Sequence, residues 1–194
     1  MTISDRPAVD RATLERLLAH ERATHVERTP RSRAAFEAAS HLFGGVPMTW
    51  MNKWSGGHPL YLATARGNRV VDIDGLEYVD FALGDTGAMA GHSPEATVAA
   101  VRERIEVAGG ITTMMPSEDA EWVAAELTRR FTMPLWSFSL TATDANRWAL
   151  RLARIVTGRP KVMAFAYCYH GSVDETFVIT DGDGGTAARE GNVG

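Results

Sequence analysis

The residues from Trp136 to Gly171, WSFSLTATDANRWALRLARIVTGRPKVMAFAYCYHG, constrain the fold more than any other stretch. Trp136, Phe138 and Leu140 alternate with Ser137 and Ser139, the period of a strand. Thr141-Ala142-Thr143 follows, and a helical pattern then runs from Asp144 to Val156. A strand that enters a helix through small hydroxyl residues leaves backbone N–H groups unpaired at the helix start. Together with the positive end of the helix dipole they make a seat for an anion such as phosphate. A second strand-like run, Val162 to Ala166, leads into Tyr167-Cys168-Tyr169-His170-Gly171. In a parallel sheet it would end on the same edge as the Thr-Ala-Thr turn. Aromatic rings would then stand beside the anion seat, an arrangement that suits a flat, phosphorylated cofactor.

These residues resemble the class III pyridoxal-phosphate (PLP) aminotransferases, the group that includes glutamate-1-semialdehyde aminomutase. The resemblance rests on Thr141-Ala142-Thr143-Asp144-Ala145, Leu150-Arg151-Leu152-Ala153-Arg154, Thr157-Gly158-Arg159 and Tyr169-His170-Gly171, in family order and spacing. Asp72-Ile73-Asp74-Gly75, Tyr78-Val79-Asp80-Phe81 and Gly91-His92-Ser93-Pro94 extend it upstream, so that it covers roughly 44–171. It implies an α/β fold, part of a fold-type I PLP-dependent transferase: the N-terminal part of a small domain and the first part of a mostly parallel large-domain sheet. The expected organisation is an N-terminal helix or arm over 1–43, a small-domain portion with short strands over 44–91, and the first part of the PLP-binding domain over 92–194.

The resemblance also implies roles. Thr141, Ala142 and Thr143 would hold the PLP phosphate, and Tyr169 would stack on the pyridine ring with His170 just behind it. Gly171 would let the backbone turn close to the cofactor. Ala142 stands where the family has glycine, which restricts positive φ at the turn. Lys53 and Trp54 would meet the substrate, since Met51 occupies the place of a family arginine. Family members hold PLP as a Schiff base on a lysine in the second half of the large domain. The lysines here are Lys53 and Lys161, and neither matches that position. No catalytic residue is therefore assigned, and the sequence reads as the first half of an aminotransferase or aminomutase, inactive alone. The intact enzyme would act on a small-molecule amino donor and acceptor, as a homodimer. Two rival readings stay open: a non-catalytic remnant of the PLP fold, and an α/β module for another phosphate ligand.

Each candidate also has a plain structural reading. Thr143 could simply cap a helix, and Tyr169 and His170 could be packed residues at a strand end. Asp144 suits the helix N-terminus electrostatically. Arg147, Arg151 and Arg154 read as a solvated face, and Cys168 as a buried thiol without a positioned base.

Composition narrows the class. A net charge of −4 argues against a broad nucleic-acid surface. The one cysteine excludes an internal disulfide and fits a reducing cytoplasm. No apolar run is long enough to span a bilayer, and the first residues do not read as a secretory signal. The histidines and acids show no metal spacing.

Elsewhere, Asp10 to Glu21 reads as a surface helix that Arg22 to Arg33 continues or replaces with a mobile arm. Gly44 to Pro59 reads as loop. Tyr61 to Phe81 reads as short strands turning at Gly67-Asn68 and Asp74-Gly75. Gly84 to Gly91 reads as a flexible crossing. Ser93 and Ser117 are expected helix caps, with Trp122, Leu127 and Phe131 on a buried side. Val173 to Thr180 reads as strand and 181–194 as loop.

Overall fold

The computed structural model describes residues 10–112, 114–165 and 168–189. The chain forms two compact units, one running to Ile111 and the other beginning at Thr112.

The first unit opens with helix α1, Arg11–Arg28. Asp10 caps it, its carboxylate accepting from Ala12 N at 3.1 Å and Thr13 N at 3.3 Å. Of the residues expected to continue this helix or form a mobile arm, 22–28 continue it; Thr29 then leaves helical geometry and Pro30 starts a second helix, α2, Pro30–Ala38. Proline suits a first helical position, where its missing N–H would have no partner. The glycine-rich segment after Phe43 is loop, as expected, with two short 3-10 turns at Phe43–Gly45 and Thr49–Asn52.

Strands β1, Leu62–Arg66, β2, Arg69–Asp72, and β3, Glu77–Val79, form an antiparallel meander. Arg66 pairs with Arg69 and Val71 with Glu77, so both turns fall where Gly67-Asn68 and Asp74-Gly75 predict them. Asp72 anchors the second turn. Its carboxylate accepts from Leu76 N at 2.9 Å and from the Tyr78 hydroxyl at 2.8 Å. Burial and then that hydrogen bond push the Tyr78 pKa up to about 12. Asp80 accepts from Ala82 N and Leu83 N and lies 2.6 Å from His92 Nε2. The crossing that follows is a tight left-handed run, with positive φ at Leu83, Gly84, Asp85 and Thr86. Helix α3, Glu95–Glu103, begins after Pro94 rather than Ser93, because Ser93 itself has φ +52 and cannot present its side chain as a cap. A π-helical turn, Arg104–Ala108, closes it before Gly109.

The second unit contains helices α4, Glu118–Phe131, and α5, Ala142–Thr157, and a hairpin of β4, Val178–Thr180, with β5, Thr186–Ala188. The hairpin corrects two expectations: the strand after Gly171 is shorter than Val173–Thr180, and 181–189 is a turn and a return strand. Trp136 donates its indole N–H to Thr128 Oγ1 at 3.0 Å and stands edge-on to Phe131. Gly158 ends α5 in the left-handed conformation expected of a C-terminal glycine.

Neither 136–140 nor 162–165 joins a ladder; both sheets of the described residues are antiparallel. A strand needs a neighbouring backbone to take its N–H and C=O groups, and among the described residues none pairs with these two. The same lack of cover reverses other expectations. Cys168 is exposed, not buried, and Trp122 on α4 is exposed where a buried side was expected. Among the described residues of this unit, Val173 is the one buried hydrophobic side chain, while Leu140, Trp148, Leu152 and Ile155 stand open.

Candidate functional site: a turn, a helix start and an aromatic clasp

The start of α5 is built by Thr141, which is the N-cap. Its Oγ1 accepts from Asp144 N at 3.1 Å and donates to Asp144 Oδ2 at 2.9 Å. This reciprocal pair gives the cap to Thr141 and not to Thr143, and it fixes Asp144 at the positive end of the helix dipole. Because Thr141 serves Asp144 N, the N–H groups of Ala142 and Thr143, the first two of the helix, have no intrahelical acceptor. They are free to donate to an acceptor outside the helix.

Thr143 is thereby released for another contact. Its Oγ1 accepts from Ser172 N at 3.1 Å, which leaves its hydroxyl proton available to an anion. A second bond runs parallel to it, from Asn146 Nδ2 to the carbonyl of His170 at 2.9 Å. Gly171, between them, has φ +79, and a Cβ there would lie 2.5 Å from Thr143 Oγ1 and 2.9 Å from its Cα. Only glycine permits this approach without displacing the helix start. Thr141, Ala142, Thr143 and the segment 169–172 are thus brought to one place.

The Tyr169 ring is open, 63% exposed, and its hydroxyl lies 3.4 Å from Ser172 Oγ. His170 points elsewhere. It lines a cleft along α5 with Asn146, Ala149, Phe165 and Thr176, and its Nε2 is buried without a hydrogen-bond partner. Arg154 does not belong to a solvated stripe: it donates to Glu175 Oε1 at 2.7 Å and to the Pro160 carbonyl at 3.0 Å. Arg147 keeps only a loose contact with Asp144, 3.5 Å, and Arg151 lies over the Trp148 ring.

Lys53 and Trp54 belong to the first unit, where they border a shallow cleft with Leu18, Arg22, His25 and Ser55. Trp54 stacks on His25, ring centroids 6.5 Å apart. Met51 lines an apolar cleft with Val46, Trp50, Trp54 and Leu60. Ser172 and Asn146 were not among the residues singled out from sequence. Asn146 carried a signal, since asparagine inside a helix is unfavourable unless its amide is used. Among the described residues no cluster of His, Cys, Asp and Glu could hold a metal ion, and no helix is long and apolar enough to cross a membrane.

The helix start and the segment 169–172 are thus joined across Gly171 within an α/β unit. The chain belongs to the class III aminotransferase family, whose model matches residues 50–189, and its fold is a partial fold-type I PLP-dependent transferase. The glutamate-1-semialdehyde 2,1-aminomutase of Thermodesulfovibrio yellowstonii is 33% identical over 171 residues, which cover 86% of this chain and 39% of that protein. Among solved structures, a glutamate-1-semialdehyde aminomutase from Pseudomonas aeruginosa PAO1 matches with a TM-score of 0.86 and 46% identity, over 94% of this chain and 40% of that one. The same enzyme has been solved as a lysine-to-alanine variant in complex with PMP. A transaminase with PLP bound matches with a TM-score of 0.74 and 31% identity, over 84% of this chain and 39% of that one. The chain spans about two fifths of the length of the relatives it matches.

Proposed function

We propose that the protein acts, when whole, as a PLP-dependent aminotransferase or aminomutase on an amino acid or an amino ketone or aldehyde, and that residues 141–143 with 169–172 hold the cofactor. The observation that carries this reading is the clasp of Ser172 N on Thr143 Oγ1 across Gly171. It joins two free backbone donors, one hydroxyl proton and one open aromatic ring, which is what a phosphorylated pyridine needs. The relatives bound to PMP and PLP support the choice of ligand.

Bound there, PLP supplies an electron sink for the carbanion of an amino substrate. The rest is the work of this chain. Ala142 N, Thr143 N and Thr143 Oγ1 would hold the phosphate, and the dipole of α5 would favour its charge. Asp144 serves the helix terminus, through its contacts with Thr141. Tyr169, whose ring is open, would stack on the cofactor ring and exclude water from that face. His170 works from behind, through the carbonyl that Asn146 holds, and its imidazole takes no part in gripping the phosphate. Lys53 and Trp54 are proposed to meet the substrate. We further propose that residues 44–91 belong to a small domain and 92–194 open the cofactor domain of a cytoplasmic homodimer.

The test is a binding competition on the whole protein. PLP should bind far more tightly than pyridoxal or a phosphosugar, and amino donors should yield their keto products. Equal binding of a phosphosugar and PLP would overturn the reading in favour of a general phosphate module.

A further inference from the structure

The first unit contains a polar bolt that the proposed chemistry does not use. Thr29 and Ser32, in and beside the break between α1 and α2, and His58, from the loop before β1, are all buried. They are among the points at which the N-terminal helix pair is fastened to the rest of the unit, beside Arg22, whose Nε donates to the Ser55 carbonyl at 2.9 Å. The Thr29 hydroxyl donates to the His25 carbonyl at 2.5 Å. Its one proton is thereby used, so His58 Nε2, 2.8 Å away, must be the donor to it. His25 Nε2 in turn donates to the His58 carbonyl at 3.1 Å. Each histidine thus holds the other's segment, with the rings 4.5 Å apart.

A second fastening lies one turn further on. Asp74, in the β2–β3 turn, accepts from Arg31 N at 2.6 Å, Ser32 N at 2.9 Å and Ser32 Oγ at 2.6 Å. A carboxylate from the sheet therefore caps α2, in place of the side-chain cap that α2 lacks.

We propose that the helix pair 11–38 is an arm whose attachment is acid-sensitive, with the His25–Thr29–His58 contact as the latch and the Asp74 cap as a separate hinge that persists. His58 is 3% exposed. The titratable and charged groups that act on it are His25 from α1, Arg33 from α2 and Asp74 from the turn. Burial, and then the neighbouring His25, hold its pKa below the ordinary histidine value, with Arg33 adding to them; the hydrogen bond with Thr29, and after it Asp74, oppose this without reversing it. A histidine whose pKa is lowered when latched takes up a proton more readily when released. The latch is therefore complete above the unlatched pKa of 6.5 and weakens as pH falls through and below it. Asp74 behaves differently. Burial would raise its pKa, but the bonds from Ser32 Oγ, Arg31 N and Ser32 N outweigh that and lower it. Its cap is thus still charged at pH 5.5, where the latch is failing.

The experiment is hydrogen–deuterium exchange on the whole protein at pH 7.5 and 5.5, corrected for intrinsic exchange rates. If His58 cannot be protonated while latched, opening should rise by up to about tenfold between these pH values. Peptides from 20–38 should show this rise, while those from 62–79 should not change. His58→Gln retains an amide donor for Thr29 but cannot titrate, so it should abolish the pH dependence of 20–38. Should His58→Gln disturb the sheet peptides as well, His25→Gln supplies the second arm: it removes the repelling ring, and the pH rise should shrink. No rise in the unaltered protein, a rise shared equally by 62–79, or a full rise in the variants would overturn the proposal.

Discussion

Replacing Thr143 by valine tests the proposed seat with little change of shape. The perturbation removes two things. One is the hydroxyl proton offered to the phosphate; the other is the acceptor for Ser172 N at 3.1 Å. A hydrogen bond to a charged group contributes about 1.5–3 kcal/mol, which corresponds to a loss of roughly ten- to 150-fold in PLP affinity. The lost Ser172 contact adds about 1 kcal/mol to the loosening of 169–172. The helix itself should survive, because its cap is Thr141 and not Thr143. The assay is a spectrophotometric PLP titration of the whole protein, with a circular-dichroism melt as control. Thr143→Ser should bind nearly as the unaltered protein does. Unchanged affinity in Thr143→Val, with an unchanged melt, would refute the reasoning and leave Thr143 as a packing residue.

Tyr169→Ala should weaken PLP binding about tenfold and lower turnover further, read in the same titration and by steady-state rates, since the open ring gives both stacking and tilt. Asp144→Asn should change affinity little, because the amide can still accept from the Thr141 hydroxyl at the helix terminus. Gly171→Ala must displace Thr143 or leave its positive φ, and should cost about 1–3 kcal/mol in a denaturant melt as well as PLP affinity. The 194-residue chain on its own should bind an apolar dye and self-associate, given the open Leu140, Trp148, Leu152 and Ile155, and should show no amino-donor turnover.

The parts of the fold that were legible in the sequence are those fixed by neighbours along the chain. Gly67-Asn68 and Asp74-Gly75 mark their turns because positive φ at Gly67 and Gly75 is a local demand. The span of α5 follows from its apolar period and from Gly158 at its end. Features set by distant residues were not legible. Asp74 caps a helix some forty residues before it, and no local pattern announces that. Thr141 and Thr143 look alike in sequence; the bond from Asp144 N shows which one caps, and the return of Ser172 shows which one is clasped. The runs 136–140 and 162–165 have strand composition, but composition does not provide the neighbouring backbone that makes a strand. Cys168 and Trp122 were misjudged for the same reason, since burial depends on what packs across from a residue.

The most direct measurement is the position of the cofactor phosphate in a crystal structure of the whole protein grown with PLP. The phosphate oxygens should lie within hydrogen-bonding distance of Ala142 N, Thr143 N and Thr143 Oγ1, with the Tyr169 ring against the pyridine face. A phosphate held by other residues, or a Tyr169 ring turned away from the cofactor, would contradict the account.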